Sequence, residues 1–298
     1  QLAHGEQLAA GHAARHREFH RLTAGVLGQT ELSGQGGAAE AQARGFAMSL
    51  LRTERLTKHF GETRAVDGVD FSVNEGEFLS LVGTNGAGKT TLVNLISAFL
   101  APDSGRIFIA ERDITYAPVD ERIRAGIARS FQLVNLFDDL SVLDNVALAI
   151  FAREGKTKRI FALAERDTAV TQEATELLGQ FGLAAKAQGL AGGLAQGERK
   201  LLDVAVAYAL RPKLLFLDEP TSGVSTRDKA QIMDTVSSVV RAGGVTAVVV
   251  EHDMDVVFKY SDRVVVMHEG RFLADGPPEA IRNNADVAKY LLGTDADA

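Results

Sequence analysis

The chain has 298 residues, no cysteine and a formal net charge of −7 at pH 7, and this length suffices for one large domain or two smaller ones. The lack of cysteine excludes disulfides and thiolate metal sites, and the acidic balance argues against a protein that wraps nucleic acid, so no nucleic-acid partner is expected. No apolar run approaches the ~20 residues of a membrane-spanning helix, so a role at a membrane requires a partner protein.

The first 47 residues differ in composition from the rest. They are rich in Ala, Gly, Gln and His and show no strand alternation. His12, His16 and His20 would share one helical face, which makes a metal site conceivable, but a disordered or upstream-derived leader is the simpler interpretation. Strand-like patterning begins directly after the first methionine, Met48. We therefore expect the natural domain to span 48–293, with a short tail at 294–298.

A glycine-rich loop lies between a predicted strand and a predicted helix. In FLSLVGTNGAGKTT (78–91), FLSLV has the composition of a buried strand, and TLVNLISAFL continues with helical spacing. The loop matches G-x-x-x-x-G-K-[ST], whose N–H groups cradle phosphates. The pattern predicts that Lys89 reaches the β- and γ-phosphates of a nucleoside triphosphate and that Thr90 binds Mg²⁺. The predicted site comprises Gly83, Thr84, Asn85, Gly86, Ala87, Gly88, Lys89, Thr90 and Thr91.

Two adjacent acids end a second apolar run. LLFLDEP at 214–220 reads as a buried strand, and carboxylates at the carboxyl end of a parallel strand point to the ligand crevice. We expect Asp218 to hold Mg²⁺, usually through water. Glu219 is then free to orient and deprotonate the attacking water.

Two further polar residues follow predicted strands. VTAVVVEHD at 245–253 brings His252 to a strand end, from which it can donate a hydrogen bond to the γ-phosphate. Gln132 follows the predicted strand GIARSF, and its amide can reach Mg²⁺ and the attacking water. For both residues a structural role is the alternative.

The order of these motifs resembles the ATP-binding cassette (ABC) ATPases over roughly residues 50–293. The resemblance implies an α/β fold: a P-loop NTPase of the ABC type with a RecA-like core, an N-terminal antiparallel β-subdomain and a helical subdomain at about 133–210. In the family, that subdomain contacts a membrane subunit, here near LVNLFDDLSVLDNV. The resemblance also implies ATP and Mg²⁺ as cofactors and stacking of Phe60 on adenine, with a core or turn role as the alternative for this residue.

The segment LAGGLAQGERK at 190–200 precedes a predicted helix. The family signature has the form LSGGQ, and two frames compete for it: LAGGL at 190–194 and LAQGE at 194–198. ERKLLDVAVAYALRP has helical periodicity, so LAQGE abuts the helix and its N–H groups can hold a phosphate. We place the signature at Leu194, Ala195, Gln196, Gly197 and Glu198. In the family, two subunits pack head to tail, and this helix binds the γ-phosphate of the ATP in the other subunit's P-loop.

Two positions depart from the family pattern. Ala195 replaces the usual serine and removes one hydroxyl donor, a loss of about 0.5–1.5 kcal/mol that weakens closure without removing the site. Ser225 stands where the family most often has the aspartate that links the two sites, which puts their coupling in doubt. The frame LAQGE resembles the LSYGE and LAHGE forms of family members that import branched-chain amino acids, related amides and urea. Some importers of the branched-chain and urea type also resemble this sequence at Ser225.

The resemblance implies an ATPase subunit that drives import from the cytoplasmic face of the inner membrane as a peripheral protein. Its partners are then a second ATPase subunit in a homo- or heterodimer, transmembrane permease subunits and, indirectly, a periplasmic substrate-binding protein. Branched-chain amino acids or related amides are the expected cargo, with urea or aromatic acids also compatible. The alternatives are an ABC protein that acts on ribosomes or DNA, and a cassette that binds ATP and dimerises without turnover.

Overall fold

The structure is a computed structural model and describes residues 49–130, 136–156 and 167–291. The expectations for the leader, with its three histidines, for Gln132 and for the tail lie outside the described residues. In the part of the chain that the structure describes, no helix is both long and apolar enough to cross a membrane.

The strands are β1 (Ser49–Phe60), β2 (Thr63–Val69), β3 (Ser72–Asn74), β4 (Phe78–Val82), β5 (Ser104–Ile109), β6 (Arg112–Asp113), β7 (Ile127–Arg129), β8 (Leu214–Asp218), β9 (Thr246–Val250), β10 (Arg263–His268) and β11 (Arg271–Gly276). The helices are α1 (Lys89–Ile96), α2 (Val119–Arg124), α3 (Val142–Arg153), α4 (Thr168–Gln180), α5 (Gln196–Tyr208), α6 (Thr226–Ala242), α7 (Met254–Tyr260), α8 (Pro278–Arg282) and α9 (Ala285–Leu291).

An antiparallel sheet forms the N-terminal part of the fold. Its order is β2-β1-β5-β6, and β3 also pairs with β1. Leu51 and Leu56 of β1 and Ile107 of β5 are fully buried in one apolar cluster that also contains Leu92 and Leu95 of α1. Because the cluster is continuous, this sheet is fixed against the helix that follows the glycine-rich loop.

A six-stranded sheet contains β4, β8 and β9, the strands that the predicted site residues follow. Its order is β11-β10-β4-β9-β8-β7, parallel except for the β11 edge. Every residue of β4, β8 and β9 is buried, as expected for a parallel sheet covered on both faces. Leu81 and Asp218 both pair with Val250, so these three strands end at one level. The expected α/β P-loop fold with an antiparallel β-subdomain is confirmed.

Along the chain, the described helical and strand elements between β7 and β8 are all helices. Helix α4 buries Val170, Ala174, Leu177 and Leu178, which lie at i, i+4, i+7 and i+8, as expected from its amphipathic sequence. These side chains belong to one cluster with α3, α5 and one face of the main sheet. The helices are therefore packed onto the core.

Helix α1 is shorter than the apolar spacing of TLVNLISAFL indicates. It ends at Ile96, with Ser97 as its C-cap. The Ser97 hydroxyl donates to the carbonyl of Val93 at 2.6 Å, and Ala98 takes a positive φ of 65°. A left-handed residue ends an α-helix, and the chain after Ala98 turns back so that the Phe99 amide bonds Asn94.

Candidate nucleotide site

The glycine-rich loop after β4 is held in a conformation that two of its glycines make possible. Gly83 has φ +153° and Gly88 has φ +105°. A Cβ atom at Gly83 would lie 2.2 Å from the carbonyl oxygen of Met267, and one at Gly88 would lie 2.1 Å from that of Ala65. The loop is thus pressed against two neighbouring strands while residues 84–86 stay exposed. The amide of Ala87 donates to the Thr84 carbonyl at 3.1 Å, and the exposed stretch 84–86 is open to an anion at the start of α1.

Lys89, the first residue of α1, is buried beneath this loop. Its ammonium donates to the carbonyls of Gly83 at 2.7 Å and Thr84 at 3.0 Å. Burial lowers the pKa of Lys89 below its ordinary value, and the nearby carboxylates of Glu219 and Asp218 act in the opposite direction. The lysine and both predicted acids therefore share one electrostatic environment, as the common level of the strand ends requires. Thr90, the next residue, is exposed at the loop.

Asp218 closes β8 and is buried in an ion pair that the sequence did not indicate. A guanidinium nitrogen of Arg129, at the end of β7, lies 2.6 Å from its Oδ2. The other terminal nitrogen of Arg129 donates to Asn94 Oδ1 at 2.6 Å and, at 3.3 Å, to Ser97 Oγ, both on the α1 side. The only available sequence signal was an arginine within the otherwise apolar and small-residue run GIARSF.

Glu219 follows in a strained backbone conformation. Its φ is +48°, a region that costs of order 1–3 kcal/mol for residues other than glycine. Its amide donates to the carbonyl of Val250 at 2.9 Å, so the turn stays attached to the end of β9. Such strain persists only where the surroundings impose it, and it clusters at functional sites.

Two buried charges flank the turn after Glu219, and neither was singled out from the sequence. Lys200 of α5 donates to the carbonyl of Glu219 at 3.2 Å and to Ser222 Oγ at 3.1 Å. Glu251, directly after β9, accepts hydrogen bonds from Thr221 and from the amide of His252. The His252 side chain itself is exposed at this strand end. In the sequence Lys200 stands directly after Glu198 and Arg199, and Glu251 ends the apolar run VTAVVV, so neither charge is conspicuous.

The segment 190–198 divides into two conformations. Ala191–Gly193 forms a 3₁₀ turn, and α5 begins at Gln196, with Ala195 as its N-cap. The amide of Ala195 donates to Glu198 Oε2 at 3.0 Å, which is one half of a capping box; alanine has no oxygen to supply the other half. The free N–H groups of the helix start thus belong to LAQGE rather than to LAGGL.

Gly197, inside this helix start, is not required by the chain's own packing. Its φ is not positive, and a Cβ there would meet only Ile232 Cδ1, at an ordinary 3.5 Å. An intrachain reason for glycine is therefore missing at this position among the described residues. A ligand or a second chain that approaches the helix start closely would supply one.

Ser225 and Phe60 occupy exposed positions. Ser225 caps α6: its hydroxyl donates to Asp228 Oδ2 at 2.7 Å and accepts from the Asp228 amide at 3.3 Å. Phe60 ends β1 at a hairpin and is 49% exposed, with the ammonium of Lys58 5.7 Å from its ring centroid. A core role for Phe60 is therefore wrong, and its ring is open to a ligand.

The residues at the strand ends suit a magnesium ion that is completed by phosphate and water. Within the described residues, no group of three or more His, Asp or Glu side chains is arranged to hold a metal by itself. Mg²⁺ usually takes one or two carboxylate ligands together with substrate phosphates and waters. The buried carboxylate of Asp218 and the exposed hydroxyl of Thr90 fit that donor set.

Comparison with known proteins gives consistent similarities. A model of the family described as ABC transporter matches residues 66–222. LivG of Salmonella typhimurium, a high-affinity branched-chain amino acid transport ATP-binding protein, is 34% identical over 252 residues, which cover 82% of this chain and 98% of that protein.

Two solved structures are similar in fold. An ATP-binding cassette of an ABC transporter in its ADP conformation has a TM-score of 0.74 and 30% identity, with 83% of this chain and 99% of that chain covered. A dimeric ATP-binding cassette in a post-hydrolysis state, bound to ADP and Pi, has a TM-score of 0.65 and 26% identity, with 76% and 98% covered.

Proposed function

Since this chain belongs to the ABC transporter family and is a nucleotide-binding ATPase of that family, we propose that it powers an importer of branched-chain amino acids or related amides. The cargo proposal is supported by the name of LivG and by coverage of nearly that whole protein. The cargo would pass through separate permease subunits after delivery by a periplasmic binding protein. This chain would act at the cytoplasmic face of the inner membrane and would not touch the cargo.

The observation that carries the catalytic proposal is the common level of the strand ends. The registers of β4, β9 and β8 bring the glycine-rich loop, Asp218 and Glu219 to one edge, where both carboxylates act on the pKa of Lys89. Lys89 and the loop amides would hold the β- and γ-phosphates of ATP. The exposed ring of Phe60 would stack on adenine.

In this proposal, the residues that hold the metal differ from the residue that accepts the proton. Asp218, Thr90 and Gln132 would hold Mg²⁺, which when bound neutralises phosphate charge and orients the γ-phosphate. Glu219 would take the proton from the water whose oxygen attacks the γ-phosphorus as the bond to the ADP oxygen breaks. His252 would donate a hydrogen bond to a γ-phosphate oxygen, and its exposure leaves it free to do so.

The second half of each site would come from a second subunit. The signature segment 194–198 would lie against the γ-phosphate held by the partner's P-loop, and the free N–H groups of the first turn of α5, which begins at Gln196, would donate to it. Two observations support this arrangement. Among the residues that the structure describes, none gives Gly197 a packing reason, and a related cassette is dimeric in a post-hydrolysis state.

The variant Glu219→Gln tests this proposal. We expect ATP binding to persist, turnover to fall by at least about 10²-fold because the general base is lost, and a dimer to accumulate with Mg-ATP. Steady-state phosphate release and light scattering measure the two effects, with Glu75→Gln, an exposed acid, as control. Retained turnover in Glu219→Gln, or an unchanged mass with Mg-ATP, would refute the shared site.

A further inference from the structure

Lys200 is a buried charge on the helix that the proposed function assigns to the partner's nucleotide. The residue is 4% exposed, and its ammonium reaches back to the turn after β8, where it bonds the carbonyl of Glu219 and the hydroxyl of Ser222. Burial lowers the pKa of Lys200, and neighbouring carboxylates, that of Asp203 foremost, act in the opposite direction. A buried ammonium is costly unless it is bonded, so these contacts need an explanation.

Glu251 is the second buried charge, and it holds the same turn from the side of β9. The residue is 1% exposed. Its Oε1 accepts from the Thr221 hydroxyl at 2.6 Å and from the Thr221 amide at 3.1 Å, and its Oε2 accepts from the amide of His252 at 3.2 Å. One carboxylate therefore ties the turn after Glu219 to the segment that carries His252.

We propose that Lys200 and Glu251 are positioning residues that clamp the turn 219–222 from two sides and so fix the left-handed conformation of Glu219. The inference rests on the proposed role of Glu219 as general base. Lys200 and Glu251 bond main-chain groups and hydroxyls of the turn, so they restrain the backbone that carries Glu219. A strained residue needs such external restraint to stay in place.

The clamp acts within one chain, although α5 serves the other chain's nucleotide. Lys200 lies on α5 two residues after the signature and bonds Glu219 of its own subunit. Movement of α5 on closure over the partner's ATP would therefore reach the base of its own site directly. This link does not depend on the aspartate that Ser225 replaces.

The primary test is Lys200→Met, which keeps the alkyl stem and removes the donors. We expect kcat to fall about 10- to 100-fold, the cost of a misplaced catalytic group. KM for ATP, the affinity for a fluorescent ATP analogue and the Mg-ATP dimer should change less than about twofold, and Lys200→Arg should recover part of kcat. Unchanged kcat in Lys200→Met overturns the clamp, and so does a loss of ATP affinity in proportion to kcat.

A second pair of variants, both at Thr221, tests the proposal if Lys200→Met fails to fold. Thr221→Val removes the hydroxyl bonded to Glu251 at nearly constant volume, and Thr221→Ser retains it. We expect a lowered kcat at constant KM in the first variant and a kcat close to wild type in the second. Equal kcat in the two variants would overturn the role of Glu251.

Mixed dimers separate the clamp from the proposed function. A chain with both Lys200→Met and Glu219→Gln is paired with wild type, and its turnover is compared with that of Glu219→Gln paired with wild type. Equal turnover is expected, because the intact site keeps its own Lys200; a lower value overturns action within one chain. Turnover of the Glu219→Gln homodimer is measured alongside, and its persistence would instead refute the proposed general base.

Discussion

The ammonium of Lys89 donates to two loop carbonyls, and the phosphate oxygens of a nucleotide would compete with these carbonyls for it. Its bonds to Gly83 and Thr84 keep the ammonium under the loop, so little reorganisation is needed on binding. A hydrogen bond to a charged group contributes about 1.5–3 kcal/mol. These bonds therefore hold the ammonium at the loop, where the proposed phosphate contacts would need it.

For Lys89→Ala we expect ATP affinity to fall about 10- to 100-fold, which corresponds to that bond energy. Isothermal titration calorimetry without Mg²⁺ measures the change, and Lys289→Ala, an exposed lysine on α9, is the control. An affinity within twofold of wild type would contradict the assignment of Lys89 to the phosphates.

The predictable part of the site is the part encoded in contiguous motifs. Lys89, Asp218 and Glu219 each stand in a short pattern whose chemistry can be read directly from the sequence. Arg129, Lys200 and Glu251 could not be found in this way. Arg129 is 89 residues from the carboxylate it pairs with, and Glu251 is 30 residues from Thr221, so only the folded sheet reveals these pairs.

The glycine-rich loop contacts strand β2 closely at Gly88, which leaves no space there for a side chain. In Gly88→Ala the new Cβ would lie 2.1 Å from the carbonyl of Ala65, and the φ of +105° adds strain. In Gly76→Ala the φ is +74° but the space is open. We expect Gly88→Ala to lower the free energy of unfolding by about 2 kcal/mol more than Gly76→Ala does, because backbone must move. Urea unfolding measures both.

The same pair of variants separates stability from binding. Gly88→Ala should also weaken ATP binding, because the loop amides are displaced, whereas Gly76→Ala should bind ATP normally. Equal unfolding free energies for the two variants would show that the loop yields to the added methyl group.

The strands β4 and β8 were predictable because each is short, apolar and buried on both faces. FLSLV became β4 with the expected limits, and the strand expected within LLFLDEP covers only LLFLD, because β8 ends at Asp218. The end of α1 was not predictable, because it depends on how Ser97 bonds Val93 and how Ala98 turns. Apolar spacing continues through Leu100 and gives no sign of that local competition.

In the proposed dimer, Ala195 would lie at the start of the helix that faces the partner's nucleotide. A serine at this N-cap would complete the capping box with Glu198, and its hydroxyl hydrogen would still be available to a phosphate of the partner site. For Ala195→Ser we expect the free energy of unfolding to rise by about 0.5–2 kcal/mol. In the Glu219→Gln background, the dissociation constant of the ATP-bound dimer should fall about 2- to 10-fold.

Chemical denaturation and sedimentation equilibrium measure these two effects. Ala185→Ser, exposed in the 3₁₀ turn Ala184–Lys186, is the control for both. A gain in stability without tighter dimerisation would argue that the start of α5 does not face the partner's nucleotide.

The ion pair between Arg129 and Asp218 has a consequence for how the subunit folds before it binds nucleotide. A buried carboxylate without a partner would carry a large desolvation cost, but here a guanidinium of the same chain compensates the charge of Asp218. The buried charge of Asp218 is therefore compensated within the fold itself. Folding would then not require magnesium or nucleotide to compensate this charge.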